Sequence, residues 1–299
     1  MALNTAKKGR PRRRSFGPYL AILPGFLLIA AVIFYPIVNT FWLSLHDVKL
    51  IGTGRFLGLD NYRTLARDPL FWQIVRQTFL WTFSSVMLKL ILGMALGRLL
   101  TERFRGRKVF RALLLVPWAM PLVAAAIVWR WMYDANFGYL NDLLRQIGLI
   151  DEPIVWLGGQ NSAFAAAVVT DAWTGLPFMA FVFLAGLQGI DRELYEAAKI
   201  DGANVWSRFR YITLPQLAPV TLVATLVSSI WTFNSFNIVY ALTGGGPLNS
   251  TDIMVTYTYT QAFDRLQFGL AAALATVTFV ILLVFSLVYV RLYGRENAV

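Results

Sequence analysis

The chain of 299 residues contains no cysteine and a single histidine, His46. The absence of cysteine excludes disulfides and thiolate metal sites, and one histidine is too few for zinc sites built from histidines or for clustered histidine catalysis. Charged residues are also scarce, at 14%, against roughly 25% in soluble domains. The sequence has no Gly-x-x-x-x-Gly-Lys-Ser/Thr stretch that would hold the phosphates of ATP. We therefore expect no catalytic site, metal or cofactor in this chain.

Hydrophobic residues make up 57% of the chain and occur in long continuous blocks. A block of about 20 apolar residues is long enough to cross a bilayer as a helix. Because lipid offers no hydrogen-bond partners to the backbone, only helices and closed barrels span it, and continuous apolar runs favour helices. The sequence thus predicts an all-α integral membrane protein with six spans, at 19–45, 77–100, 109–133, 163–189, 217–243 and 269–293.

The formal net charge of +11 comes from basic residues that flank the apolar blocks. This placement indicates orientation in a membrane rather than nucleic-acid binding, because cytoplasmic loops are enriched in Lys and Arg. With the N-terminus inside, the predicted cytoplasmic segments hold more than twice as many Lys and Arg residues as the outer ones. We expect a basic cytoplasmic tail at 1–18 that contacts anionic lipid, a membrane domain at 19–293 and a cytoplasmic tail at 294–299.

Several prolines lie inside the predicted spans. A proline in a helix interior lacks an N–H donor and clashes with the preceding turn, so each predicts a kink. These residues are Pro24, Pro36, Pro117, Pro121 and Pro177.

The longest predicted cytoplasmic loop, 190–215, has helix signals at both ends. Asp191 is a suitable N-cap, and Gly202 is a typical helix stop. A second short helix, from about Asn204, is expected to end at Pro215. Two short amphipathic helices can form a docking surface for another protein, or the loop can pack against its own bundle.

This loop resembles the EAA loop of the permease subunits of ABC importers. Glu196 begins the Glu-Ala-Ala triplet, Gly202 follows six positions later, and Pro215 closes the pattern. In that family the loop is a coupling helix that seats in a groove of the ATPase subunit, and the fold is the type I importer bundle. The resemblance assigns coupling to Glu196, Ala197, Ala198, Asp201, Gly202 and Pro215.

Other segments resemble the first permease subunit of maltose, lactose and glycerol-3-phosphate importers. They are 56–62, the Phe71-Trp72 pair and the Thr-Gly-Gly-Gly-Pro stretch at 243–247. The resemblance implies a homologous second permease, an ATPase dimer that binds ATP and Mg²⁺, an extracytoplasmic sugar-binding protein and a sugar as substrate. It also implies the cytoplasmic (inner) membrane of a bacterium or archaeon.

Two spans carry residues that are suited to a sugar. Asn234 and Asn237 are three residues apart, which puts them on one face of a continuous helix. Amides hydrogen-bond sugar hydroxyls and aromatic rings cover sugar faces; the alternative is that the amides bond neighbouring helices. The pattern resembles the sugar site of maltose permeases, which implies a substrate site at Trp173, Thr174, Gly175, Phe178, Phe233, Asn234 and Asn237.

Lys89 and Asp171 are the charges that lie deepest in the predicted spans. An unpaired charge at such depth costs roughly 2.5–3.5 kcal/mol or more. With spans in alternating directions, Asp171 lies about 12 Å and Lys89 about 18 Å below the outer end. A structural ion pair and the lining of a polar cavity both explain them.

A self-contained secondary transporter, driven by protons or sodium, is the alternative function. Such proteins use membrane carboxylates as relays and usually contain internal repeats. Asp171 is the one carboxylate deep in a predicted span, and no repeat is evident. These features favour the importer subunit.

Overall fold

The computed structural model describes residues 17–49 and 54–294. The predicted cytoplasmic tails lie almost entirely outside these residues. The described part is helical except for loops and a two-residue antiparallel ribbon, β1 (His46–Asp47) with β2 (Arg55–Phe56).

Fourteen α-helices follow one another along the described residues. Short π-helical turns at Ala30–Phe34, Phe209–Thr213 and Thr260–Asp264 join some of them. The helices are α1 (Gly17–Ile29), α2 (Tyr35–Ser44), α3 (Asp60–Arg67), α4 (Pro69–Leu99), α5 (Arg107–Ala119), α6 (Leu122–Met132), α7 (Tyr139–Gln146), α8 (Gln160–Gln188), α9 (Arg192–Ile200), α10 (Val205–Arg208), α11 (Leu214–Phe233), α12 (Phe236–Thr243), α13 (Met254–Tyr259) and α14 (Phe268–Gly294).

Five helical runs among the described residues are long and apolar enough to cross a membrane, and the bent pair α5–α6 makes a sixth. The all-α membrane fold is therefore confirmed, and the described residues give six spans when the bent pair is counted as one. The five runs are Ile22–Ser44, Pro69–Leu99, Gln160–Gln188, Val205–Phe233 and Phe268–Arg291.

The third span turns sharply at Pro121, one of the positions where the sequence predicts a kink. α5 and α6 meet at an angle of 100°. Met120 between them is extended, with φ −77° and ψ 140°. A residue before proline is disfavoured in the helical conformation, and Pro121 has no N–H to continue the ladder. The chain therefore turns at Met120-Pro121.

The fifth span differs from its prediction at both ends. The helical run begins at Val205 and ends at Phe233, ten residues before the predicted end at 243. Pro215 does not end the second helix of the loop, because a π turn precedes it and Leu214 N–H donates to Phe209 O, five residues back. Such a turn rearranges the local hydrogen bonds, so the helix passes a proline without stopping.

Helices α4 and α8 form the centre of the bundle. Gly93 and Gly97 of α4 lie one turn apart and face α8. A Cβ atom at these positions would lie 2.5 Å from the Cβ of Met179 and 2.8 Å from the Cβ of Phe183. Small residues therefore let the two backbones approach closely, as is typical of helix pairs in lipid. The pair forms the scaffold for the polar residues described below.

Candidate functional site

A cavity of about 370 Å³ lies where α5, α8 and the junction of α11 with α12 meet. Its lining combines charged, amide and hydroxyl side chains with aromatic ones. Its lining residues are Lys89, Trp118, Leu122, Asp171, Thr174, Gly175, Phe178, Ser228, Ile230, Trp231, Thr232, Asn234, Ser235, Phe236 and Asn237.

Five of the seven residues predicted to bind substrate line this one cavity. Thr174, Gly175 and Phe178 reach it from α8. Asn234 and Asn237 reach it from the α11–α12 junction, which is about 60 residues further along the chain. The structure thus brings together two motifs that the sequence predicted separately.

Trp173 and Phe233 do not line the cavity, so their assignment to the substrate site stays a prediction that this cavity does not support. Trp173 lies two residues from Gly175, about 200° around the helix, and packs edge-to-face on Trp129 with ring centroids 5.6 Å apart. Phe233 is 3% exposed and packs edge-to-face on Phe79 at 5.8 Å, in a separate apolar cluster.

The prediction that Asn234 and Asn237 share one helix face is wrong, because the helix breaks between them. Asn234 has φ −102° and ψ 23°, and Ser235 has φ −77° and ψ 59°. Asn234 Nδ2 donates to Ile230 O at 3.0 Å, so this amide caps α11. Asn237 lies in the first turn of α12. Both residues reach the cavity through the break rather than through a shared helical face.

Lys89 and Asp171 form an ion pair in the wall of the cavity. Lys89 Nζ lies 2.5 Å from Asp171 Oδ2, and each side chain is 6% exposed. Lys89 Nζ also donates to Thr232 Oγ1 at 2.9 Å, and the Ser235 hydroxyl donates to Asp171 Oδ1 at 3.1 Å. Both explanations left open by the sequence therefore hold, since the residues pair and also line a polar cavity.

Sequence reasoning missed the aromatic wall of the cavity. Trp118 and Trp231 are 59% and 56% exposed and line it, and the Trp231 ring lies 5.1 Å from the Phe178 ring. Trp231 could have been found from the sequence, because it lies three residues before Asn234. Trp118 follows Pro117, and its position depends on the 100° bend, which hydropathy does not reveal.

The 190–215 loop forms the predicted helix α9 at one end of the bundle. The Asp191 carboxylate accepts from Glu193 N–H at 3.0 Å and caps its N-terminus. Gly202 has φ +78°, the left-handed conformation that ends helices and favours glycine. Glu196 and Ala197 are exposed, Ala198 is partly covered, and no residue of α9 is buried.

Next to α9 the surface is open and apolar. Ile200, Val205 and Trp206 are 87%, 72% and 68% exposed. The Tyr195 hydroxyl lies 2.8 Å from Thr213 Oγ1 and ties α9 to the π turn before α11. A motion of α9 would therefore reach α11 through a direct contact.

A buried acid lies in the loop after α12, on the side predicted to be outer. Asp252 is 6% exposed, and burial raises its pKa from 3.8 to about 6. The Thr256 hydroxyl donates to its carboxylate. A Cβ at Gly245, which has φ +87°, would lie 3.0 Å from the Asp252 carboxyl carbon. The Gly-Gly-Gly-Pro stretch thus folds closely over this acid.

Comparison with known families matches residues 89–296 to the family described as "Binding-protein-dependent transport system inner membrane component". The chain is 41% identical to the trehalose/maltose transport system permease protein MalF of Thermococcus litoralis, over 98% of each chain. It is 36% identical to the sulfoquinovosyl glycerol transport system permease protein SmoG of Agrobacterium fabrum, over 93% of this chain and 90% of that one.

Among solved structures, a chain of a bacterial alginate ABC transporter superimposes on 95% of this chain. The match covers 96% of that chain, with a TM-score of 0.82 and 21% sequence identity. That transporter was crystallised with its alginate pentasaccharide-bound periplasmic protein. At this identity the likeness establishes a shared fold.

Proposed function

This chain belongs to the family of inner-membrane components of binding-protein-dependent transport systems, and we propose that it is one of two membrane-spanning subunits of an ATP-driven sugar importer. Membership of this family, rather than of an ion-coupled one, favours the importer over the secondary transporter.

The observation that carries the sugar assignment is the chemistry of the cavity wall. Two amides, several hydroxyls and four indole or phenyl rings surround one space of about 370 Å³. Amides and hydroxyls hydrogen-bond sugar hydroxyls, and aromatic faces cover the apolar faces of sugar rings. The names of the two relatives, which transport trehalose or maltose and sulfoquinovosyl glycerol, support this assignment.

The proposed assembly follows from the surfaces that the chain leaves uncovered. None of the apolar window of Ile22–Ser44 is buried within the described chain, which suits contact with lipid and a homologous second permease. α9, with Glu196 and Gly202, would seat on an ATPase dimer that binds ATP and Mg²⁺. The loops at the other end would receive an extracytoplasmic sugar-binding protein. Both termini would then be cytoplasmic, and this chain would supply pathway and coupling rather than hydrolysis.

The mechanism we propose is alternating access. ATP binding closes the ATPase dimer, and α9 passes the motion to α11 through the Tyr195–Thr213 contact. The two permeases then open outward and take the sugar from the binding protein. Hydrolysis of ATP returns them to the inward-facing state.

Uptake in proteoliposomes tests this function. The chain is reconstituted with its neighbouring permease, ATPase and binding protein, and uptake of labelled trehalose, maltose and a control amino acid is measured. We expect sugar uptake that requires ATP and the binding protein. Uptake by this chain alone, driven by a proton or sodium gradient, would contradict the proposal and establish the secondary transporter instead.

A further inference from the structure

The break between α11 and α12 has no obvious cause in the local sequence. The segment from Thr232 to Asn237 contains neither proline nor glycine, the residues that most often interrupt helices in lipid. Asn234 and Ser235 nevertheless leave the helical conformation. Contacts with other helices must therefore stabilise the break.

Two of these contacts come from α4. Trp81 Nε1 donates to Thr232 O at 2.9 Å, and Lys89 Nζ donates to the Thr232 hydroxyl at 2.9 Å. In a continuous helix Thr232 O would accept from Phe236 N–H, which here donates to Asn234 O at 2.8 Å instead. Ser235 N–H also donates to Thr232 O, at 3.1 Å, so the indole is a second donor to a carbonyl that has lost its helical partner.

The third contact comes from α8. The Ser235 hydroxyl, on the far side of the break, donates to Asp171 Oδ1. The ion pair between Lys89 and Asp171 therefore connects Thr232 before the break with Ser235 after it. Because unpaired charges at this depth are costly, the pair stays closed and holds both ends of the break in place.

Gly175 makes this arrangement possible. A Cβ atom at position 175 would lie 2.8 Å from Lys89 Cε and 3.1 Å from Lys89 Nζ. The lysine side chain crosses α8 at this glycine to reach Asp171. A Cβ at 175 would force Lys89 Cε to shift, and with it the ammonium that contacts the carboxylate.

We propose that Lys89, Gly175 and Asp171 are positioning residues that hold the α11–α12 break and so present Asn234 and Asn237 to the cavity. They act on the substrate site through the backbone of α11 and α12. The identity of the ligand rests on the proposed function, whereas the positioning does not.

Cysteine labelling tests the proposal without any ligand, because the chain has no cysteine of its own. Asn237→Cys is introduced into the assembled importer, and its rate of reaction with a neutral, hydrophilic maleimide is measured. A neutral reagent keeps the rate independent of the charge changes. The same chain then receives Lys89→Met with Asp171→Asn. This double substitution removes both charges, so neither is left buried without its partner. We expect the rate at position 237 to change at least tenfold.

Two controls separate positioning from general loosening. Trp118→Cys reports on another wall of the cavity, and its rate should change less than twofold in the same background. Gly175→Ala should reproduce the effect at position 237, whereas Gly25→Ala should not, since a Cβ at Gly25 meets no atom within 4 Å.

The proposal is overturned if the labelling rate at position 237 stays within twofold of its value in the Asn237→Cys chain. This holds for the variant with Lys89→Met and Asp171→Asn and for the variant with Gly175→Ala. It is also overturned if the rate at 118 changes as much as the rate at 237. If labelling behaves as expected but no complex imports sugar, the proposed function fails and the positioning role stands.

Discussion

Asn237→Ala should weaken sugar uptake and leave the fold intact. The Asn237 amide is exposed in the cavity, and no protein partner for it is present within residues 17–49 and 54–294. Its loss therefore removes a bond to the substrate and none within the chain. A neutral hydrogen bond contributes about 0.5–1.5 kcal/mol, which at 1.4 kcal/mol per decade corresponds to a two- to twelve-fold loss of uptake at limiting sugar.

Asn234→Ala should behave differently, because Asn234 also caps α11 through Ile230 O. Its removal loses that bond together with any bond to the sugar. We expect a larger loss of uptake than for Asn237→Ala, because two bonds are lost rather than one. Thermal stability of the complex should fall as well, whereas Asn237→Ala should leave it unchanged.

The assay is ATP-dependent uptake of trehalose and maltose into proteoliposomes, with basal ATPase activity and melting temperature measured on the same preparations. Asn161→Ala is the matched control, since Asn161 is an exposed asparagine of α8 that does not line the cavity. Wild-type uptake by Asn237→Ala across limiting sugar concentrations would refute the reasoning and show that the amide does not bind the sugar.

Three further predictions concern coupling, topology and pH. Gly202→Asp should insert normally but lose substrate-stimulated ATPase activity, because α9 no longer seats on the ATPase. Reporter fusions at Val299 and within 134–162 should report opposite sides of the membrane, as the Lys and Arg distribution indicates. Asp252, whose pKa burial raises to about 6, should make the complex more stable near pH 5 than near pH 7.5, because the folded state binds the proton more tightly than the unfolded chain does. Asp252→Asn should remove this dependence.

Matched variants control these experiments. Gly148→Asp changes another glycine with positive φ and free space around it, outside the coupling loop. This variant should keep substrate-stimulated ATPase activity. If Gly202→Asp keeps the same activity, the coupling role is contradicted. Fusions that report the same side would overturn the six-span topology. Asp264→Asn removes an exposed acid close to Asp252 in sequence and should keep the wild-type pH profile; an unchanged profile in Asp252→Asn would show that its burial is unimportant.

The fold was predictable from the sequence because it depends on the average hydropathy of long stretches and not on single residues. Runs of about 20 apolar residues define spans regardless of detail, and α9 follows from a local cap at Asp191 and a stop at Gly202. Every proline inside a span predicted a kink, but the outcomes differ. Pro121 produces a 100° bend and Pro177 lies within a continuous helix, because the outcome depends on whether neighbours satisfy the freed carbonyl.

The residue types of the candidate site were predictable from the sequence, but their arrangement in space was not. The cost of burying charge is enough to identify Lys89 and Asp171 from the sequence alone. Their hydrogen-bond partners could not be identified in the same way, since Thr232 lies 143 residues from Lys89 and Ser235 lies 64 residues from Asp171. Neither threonine nor serine is unusual in a membrane span. Periodicity assumed a continuous helix through Asn234 and Asn237, whereas contacts from α4 and α8 select the break. The same contacts place Phe233 in the apolar core and Asn234 in the cavity, an arrangement that periodicity could not predict.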